Sequence, residues 1–181
     1  MERRHPVDAD VRLRDVTLDD HELYERLRCD PAMMTELGGP LPKETIPDKL
    51  RSDVAAVQRD ESWIAVVTDG AGVPMGSVVL WIHDEHGERL SEIGWMVLPE
   101  FQGRGVAKSA TAQLLDRAEV DGRWGAIHAF PGVTNAPSNG ICRSLGFTLV
   151  EAADIEFQGR TLRANHWRLD PTDGQGRWTS D

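Results

Sequence analysis

The sequence predicts a single mixed α/β domain, and three observations carry that prediction. Apolar residues recur at every second position through the middle of the chain and at helical spacing on either side of it. The two regimes alternate along one stretch, with no internal repeat and no low-complexity linker. With 181 residues, 40% of them hydrophobic and 28% charged, the chain can build one real core and is not composed like a disordered polypeptide. Residues 11–170 are expected to fold, between a flexible leader (1–10) and a loose polar tail (171–181).

Each element follows from local chemistry. Val11–Val16 alternates apolar and polar and reads as a first strand. Thr17 and Asp19 offer N-cap oxygens to a helix carrying Leu18, Leu23 and Leu27, which must stop before Pro31. Ala32–Pro42, with Met33, Met34, Gly38 and Gly39, reads as a shaped loop with an adaptable apolar lining. Glu44–Gln58 places Ile46, Leu50, Val54 and Val57 on one helical stripe. Trp63–Val67 and Met75–Ile82 form a hairpin around Asp69-Gly70-Ala71-Gly72. The polar cluster His83–Arg89, including His86, is expected to turn the chain into a third strand of this group, Glu92–Leu98. Val106, Ala110, Leu114 and Ala118 mark a helix over Val106–Glu119. A short strand at Ala126–Phe130 and a short helix at Ser138–Leu145, closed by Gly146, follow. Phe147–Phe157 and Thr161–Leu169 flank Gln158-Gly159 as a terminal hairpin.

Composition excludes several functions. Thirty acidic against 20 basic residues give a net charge of -10, which opposes general nucleic-acid binding. No run approaches the roughly 18 apolar residues of a membrane span. No apolar segment follows the N-terminal arginines as a secretory signal requires. Cys29 and Cys142 match neither a disulfide framework nor a zinc spacing, and free thiols suit a reducing cytoplasm.

The chemistry concentrates after the strand that begins at Glu92. That strand feeds Pro99-Glu100-Phe101-Gln102-Gly103-Arg104-Gly105-Val106-Ala107, and a helix starts at once. Glycine lets backbone approach a ligand closely, and the first amides of a helix have no internal acceptors, so this junction can bind a pyrophosphate. Arg104 and Lys108 add positive charge there. The bland reading is a glycine-rich turn into an ordinary amphipathic helix. The segment is neither a dinucleotide fingerprint nor a phosphate loop ending in Gly-Lys-Ser/Thr. It does resemble the Gln/Arg-x-x-Gly-x-Gly/Ala signature of the GNAT superfamily of acyl-CoA-dependent N-acetyltransferases, through Gln102, Gly105 and Ala107. A second match, Asn135-Ala136-Pro137-Ser138 through Leu145-Gly146-Phe147, is similar to that family's Asn-x-x-Ser/Ala helix ending in Leu-Gly-Phe. By themselves, Asn135 reads as a helix cap and Gly146 as a helix terminus.

The resemblance implies a mixed central sheet flanked by helices and splayed at its fourth and fifth strands, with acetyl-CoA as co-substrate. It implies cofactor contacts from Met96, Val97, Leu98, Gln102, Gly103, Arg104, Gly105, Val106, Ala107 and Lys108, and from Asn135 and Ser138 near the pantetheine arm. It also implies a β-bulge in the fourth strand that frees the amide near Val97 to stabilise an oxyanion. Glu92 lies where several members place a general base. On the alternation it shares a face with Gly94 and Met96, the small Gly94 leaving space beside it; the alternative is an exposed or ion-paired strand residue. The family's usual tyrosine acid is absent, because Cys142 stands five residues before Phe147 and the only tyrosine is Tyr24. Cys142 is either a proton donor or a small packing residue. His128, on the short strand beside the wedge, is a further titratable candidate or a structural histidine.

The ribosomal-protein N-terminal acetyltransferase branch is similar in its Asn-x-x-Ser and in often lacking the tyrosine. The implied activity is direct transfer of an acetyl group to a primary amine, on a small molecule or a protein N-terminus. The Met33–Leu41 loop, the start of the second helix and the terminal hairpin would frame the acceptor. Asp84, Glu85, Glu88, Asp154 and Glu156 would either attract a cationic acceptor or lie solvated at the surface. A homodimer is compatible with all of this. A non-catalytic acyl-CoA-binding or sensing module is the alternative function, motivated by the missing tyrosine.

Overall fold

The computed structural model describes residues 10–85, 87–157 and 159–171. The expected leader and tail lie outside the described residues except for Asp10 and Pro171, and so do His86 and Gln158 of the two expected turns. Among the described residues, seven strands form one sheet: β1 (Arg12–Asp15), β2 (Ser62–Thr68), β3 (Pro74–Glu85), β4 (Glu88–Val97), β5 (Ile127–Ala129), β6 (Thr148–Phe157) and β7 (Arg160–Leu169). Their order is β1-β2-β3-β4-β5-β7-β6, antiparallel everywhere except between β4 and β5. Among the same described residues, four α-helices, α1 (His21–Arg28), α2 (Ile46–Gln58), α3 (Val106–Asp121) and α4 (Ala136–Ser144), flank the sheet. Among the described residues no helix is long and apolar enough to cross a membrane.

The sheet is covered on both faces, which explains why β2 is buried along its whole length and reads as a near-continuous apolar run. On one face Trp63, Val78, Leu80, Ile93 and Val97 pack against Val106, Ala110, Leu114 and Ala118 of α3 and Cys142 of α4. On the other, Ile64, Val66 and Leu98 meet Leu23, Tyr24 and Leu27 of α1 and Ile46 and Leu50 of α2. The predicted stripes of α2 and α3 are the faces that pack. α2 also buries Asp53, because Tyr24 donates its hydroxyl to that carboxylate at 2.8 Å and Lys49 donates at 2.6 Å. Burial, then the charge of Asp53, pushes the Tyr24 hydroxyl far above its ordinary pKa.

Three expectations about local structure are corrected. The helix expected to begin near Leu18 starts as a 3-10 turn over Leu18–Asp20 and becomes α-helical at His21. Asp20 accepts from the Thr17 amide and pairs with Arg14, so Asp20 rather than Asp19 anchors that end. The polar cluster His83–Arg89 holds the turn, but a shorter one than expected: β3 and β4 extend into it from both sides, pairing His83 with Leu90, Asp84 with Arg89 and Glu85 with Glu88. Cross-strand pairing outweighs polarity here, and the reversal shrinks to the link between Glu85 and Glu88. Nor is there a bulge between β3 and β4; their register is continuous from Gly76–Val97 to Glu85–Glu88. The register shifts fall instead between Val67 and Thr68 and between Leu149 and Glu151.

Asn139 of α4, which the pattern of apolar residues gave no reason to notice, fastens the far half of the sheet. Its amide donates to the carbonyls of Gly132 and Asn135, and its oxygen accepts from Asn165 and from Trp167 Nε1, both at 2.8 Å. Asn139→Ala leaves the indole N–H of buried Trp167 without its acceptor, and is expected to cost about 3 kcal/mol in denaturant unfolding, the range for stranded buried polar groups.

Candidate active site

β3 holds β4 along its full length, and β5 holds it for two residues only. Ser91 pairs with Ile127 and Glu92 with His128; among the described residues β4 then continues to Val97 with no further strand partner on that side. The far end of β4 is pinned to β3, since a Cβ on Gly76 would stand 2.2 Å from the Met96 carbonyl oxygen. A wedge therefore opens between β4 and the segment after β5, with Glu92 and His128 at its apex. Leu98 donates its amide to Met75 on the β3 side, so by the alternation of an antiparallel ladder the Trp95 and Val97 amides point into the wedge. A donor aimed at the gap thus exists at Val97 without the expected bulge. The Val97 carbonyl, on the same side, accepts from the Gln102 side chain at 2.8 Å.

The loop beyond the wedge has the predicted form. Pro99–Phe101 makes one 3-10 turn, Gly103 and Gly105 take left-handed φ of 71° and 77°, and α3 begins at Val106. The first intrahelical bond runs from the Ser109 amide to the Gly105 carbonyl, so the amides of Val106, Ala107 and Lys108 have no acceptor within the helix. The two glycines face open space, where an added Cβ would meet nothing within 4 Å. Arg104 lies 5.9 Å from the Phe101 ring centre. Leu98 is almost fully buried in the α1–α2 core, and Met96 and Phe101 pack against the same cluster. Across the wedge, Asn135 caps α4, its oxygen accepting from the Ser138 amide at 3.2 Å; the helix starts at Ala136, two residues before the predicted start. The Met33–Leu41 loop reaches both sides, since Met33 touches Gln102 and Glu36 accepts from the Thr134 hydroxyl at 3.0 Å.

At the apex the titratable residues form two pairs. Glu92 and His83 Nε2 are 2.8 Å apart, each side chain about a quarter exposed or less. The space expected beside Glu92 at Gly94 is occupied by the Trp81 ring, 3.5 Å from where a Cβ would stand. His128 is buried and 2.7 Å from His166 of β7. Burial first, then the neighbouring His166, lowers the His128 pKa; burial likewise lowers that of His166. Sequence reasoning missed His83 and His166 as partners, because both depend on cross-strand register. Cys142 has no exposed surface, and burial pushes its thiol up to about 12. It packs among core residues, as the alternative reading had it.

The chain matches the family model described as an acetyltransferase (GNAT) domain over residues 10–148. The chain belongs to the GNAT acetyltransferase family. Solved structures share its fold at low identity. Spermidine N-acetyltransferase from Vibrio cholerae, in complex with CoA and spermine, is 19% identical with a TM-score of 0.75, over 90% of this chain and 96% of that one. Ribosomal-protein-S5-alanine acetyltransferase from Vibrio fischeri is 16% identical with a TM-score of 0.74, covering 92% and 96%. Mycobacterium smegmatis RimJ, in complex with CoA-disulfide, is 20% identical with a TM-score of 0.72, covering 88% and 81%. Among curated proteins none matches. The splayed sheet, read from two motifs, is thus the GNAT fold.

Core packing of Cys142 has a direct chemical consequence. Cys29 is partly exposed and Cys142 is buried, so a thiol reagent is expected to label Cys29 alone in the native protein and both residues after denaturation. Labelling of native Cys142 at a comparable rate would contradict its placement.

Proposed function

We propose that this GNAT protein transfers an acetyl group from acetyl-CoA to a primary amine by direct attack through a tetrahedral intermediate. The single observation that carries the reading is the wedge: β4 leaves β5 immediately past Glu92 and His128, with the Val97 amide directed into the gap. The residues present fit acetyl-CoA. Gln102, Gly103, Arg104, Gly105, Val106, Ala107 and Lys108 would hold its pyrophosphate through helix-terminal amides and local positive charge. Asn135 and Ser138 would border the pantetheine arm, with Asn135 also capping its helix. Acetyl-CoA supplies the activated acyl group.

Glu92 acts as the general base. A cationic amine cannot attack, so a carboxylate within reach, directly or through one water, must take its proton. His83 holds that carboxylate from the neighbouring strand. As the carbonyl oxygen gains charge, the Val97 amide offers a fixed donor. Cys142 is too deeply buried and too weak an acid to protonate the leaving thiolate, which takes its proton from solvent. The acceptor is an amine on a polyamine-like small molecule or a protein N-terminus, as the names of two structural neighbours, spermidine N-acetyltransferase and ribosomal L7/L12 alpha-N-protein acetyltransferase, suggest. The unpaired cysteines suit a reducing cytoplasm. The missing acid also favours a second reading, a non-catalytic acyl-CoA sensor with the same cofactor loop.

Acetyl-CoA turnover on spermidine and on a peptide with N-terminal alanine tests the choice. Glu92→Gln is expected to lower kcat about a hundred-fold, within the usual range for general bases. Unchanged turnover would remove Glu92 from the role, and acetyl-CoA binding without turnover on any amine would favour the sensor. Gly105→Val both forces a β-branched residue to a φ of 77° and fills the open cradle. It is expected to weaken acetyl-CoA binding at least about ten-fold, by calorimetry on protein whose melting shows it folded. Native affinity would remove this loop from the pyrophosphate site.

A further inference from the structure

Each transfer to an ammonium acceptor releases a proton at the wedge apex, and two histidines lead from that apex toward the surface. His128 Nδ1 and His166 Nε2 lie 2.7 Å apart, with ring centres at 5.0 Å. Phe130 stacks on His166 at 4.7 Å and fixes its plane. At this separation one nitrogen carries the shared hydrogen and the other is bare, because two N–H groups cannot face each other. The pair is therefore a single unit whose two rings titrate together, a second proton entering only against the charge of the first.

Its surroundings run from buried to open. His128 is 5% exposed and is the cross-strand partner of Glu92, whereas His166 is partly exposed. The charged groups around the pair are Glu92 on β4, His83 on β3, Arg168 on β7, Asp170 just beyond it and Glu151 on β6, the cross-strand partner of His166. Burial, His166, Arg168 and His83 disfavour charge on His128, while Asp170 favours it. Burial and Arg168 disfavour charge on His166, while Glu151 favours it at the outer end. The unit is thus neutral when the acceptor arrives, with an acidic residue beside its exposed ring.

We propose that His128 and His166 form the proton exit of the acyl-transfer site, carrying to solvent the proton that Glu92 removes from the amine. This inference rests on the acyl-transfer reading of the wedge. The amine N–H bond breaks as an O–H bond forms on Glu92. That O–H breaks as an N–H forms on the second nitrogen of His128. The shared hydrogen crosses to His166, and the outer N–H of His166 passes to water. No electrons are exchanged, Glu92 returns to its carboxylate, and the two rings recover their tautomers by exchange with water. Both histidines act through Glu92 and are positioning residues for proton departure.

His166→Gln tests the exit, because glutamine keeps a hydrogen bond to His128 but cannot carry a proton. With acetyl-CoA and spermidine or the alanine peptide in dilute buffer near neutral pH, kcat is expected to fall about ten-fold, while KM for acetyl-CoA stays within about two-fold. Added imidazole, a mobile proton carrier, is expected to restore the rate. A full rate in dilute buffer, or a loss that imidazole does not relieve, overturns the proposal. Glu92→Gln measured alongside separates the two claims: full activity there removes the base assignment and with it an exit that starts from Glu92, whereas a slowed Glu92→Gln beside a fully active His166→Gln removes the exit alone. Imidazole nitrogen NMR of the protein alone needs no acceptor. One proton shared by the two rings is expected, and independent titration of both near the ordinary value of about 6.5 overturns the pair.

Discussion

The structure depends on an unequal division of backbone pairing around β4. An interior strand ordinarily satisfies its amides and carbonyls on both sides, since unpaired buried backbone groups are costly. Here β3 pairs with all ten residues of β4, from Glu88 to Val97, whereas β5 pairs with Ser91 and Glu92 alone. The polar edge left toward the gap is partly satisfied by Gln102, which closes on the Val97 carbonyl. That one contact ties the loop entering α3 to the strand whose amides line the wedge. Candidate cofactor loop and candidate oxyanion donor are thus set by the same few residues.

Keeping such a gap open requires the two halves of the sheet to be anchored independently. On the near side, the Tyr24–Asp53–Lys49 cluster joins α1 to α2, and Arg14 with Thr17 holds Asp20 at the start of the first helical turn. On the far side, Asn139 satisfies two carbonyls and two side-chain donors, joining α4 to β7 and to the turn after β5. Buried polar groups that are fully paired hold one geometry where apolar packing alone would tolerate sliding. Glu36 bridges the halves at the surface through Thr134, so the α1–α2 loop spans the mouth of the wedge.

Much of this was legible in the sequence, for identifiable reasons. The helical stripes of α2 and α3, the strand alternation, the glycine loop at 103 and 105 leading into a helix and the Asn135 cap are local properties, and local chemistry places them. The two motifs carried the family and the splay. What stayed hidden depends on register. The pairing of His83 with Leu90 makes the polar cluster a strand end and sets His83 beside Glu92. The pairing of Glu92 with His128 and of Glu151 with His166 assembles the apex from four strands. The Trp81 ring reaches Gly94 for the same reason, so the small residue does not create the space that alternation suggests. The bulge was carried over from the resemblance, and the wedge achieves the same amide orientation with an unbroken ladder.

Amide hydrogen exchange along β4 tests the central claim most directly. In the protein alone, Gly94 and Met96 are expected to be protected by β3, while Trp95 and Val97 exchange fast through the wedge. Addition of acetyl-CoA is expected to slow Val97 together with Val106, Ala107 and Lys108. Strong protection of Val97 before any ligand is added, or protection by acetyl-CoA that leaves both Val97 and the start of α3 unchanged, would contradict the wedge as the site of acyl transfer.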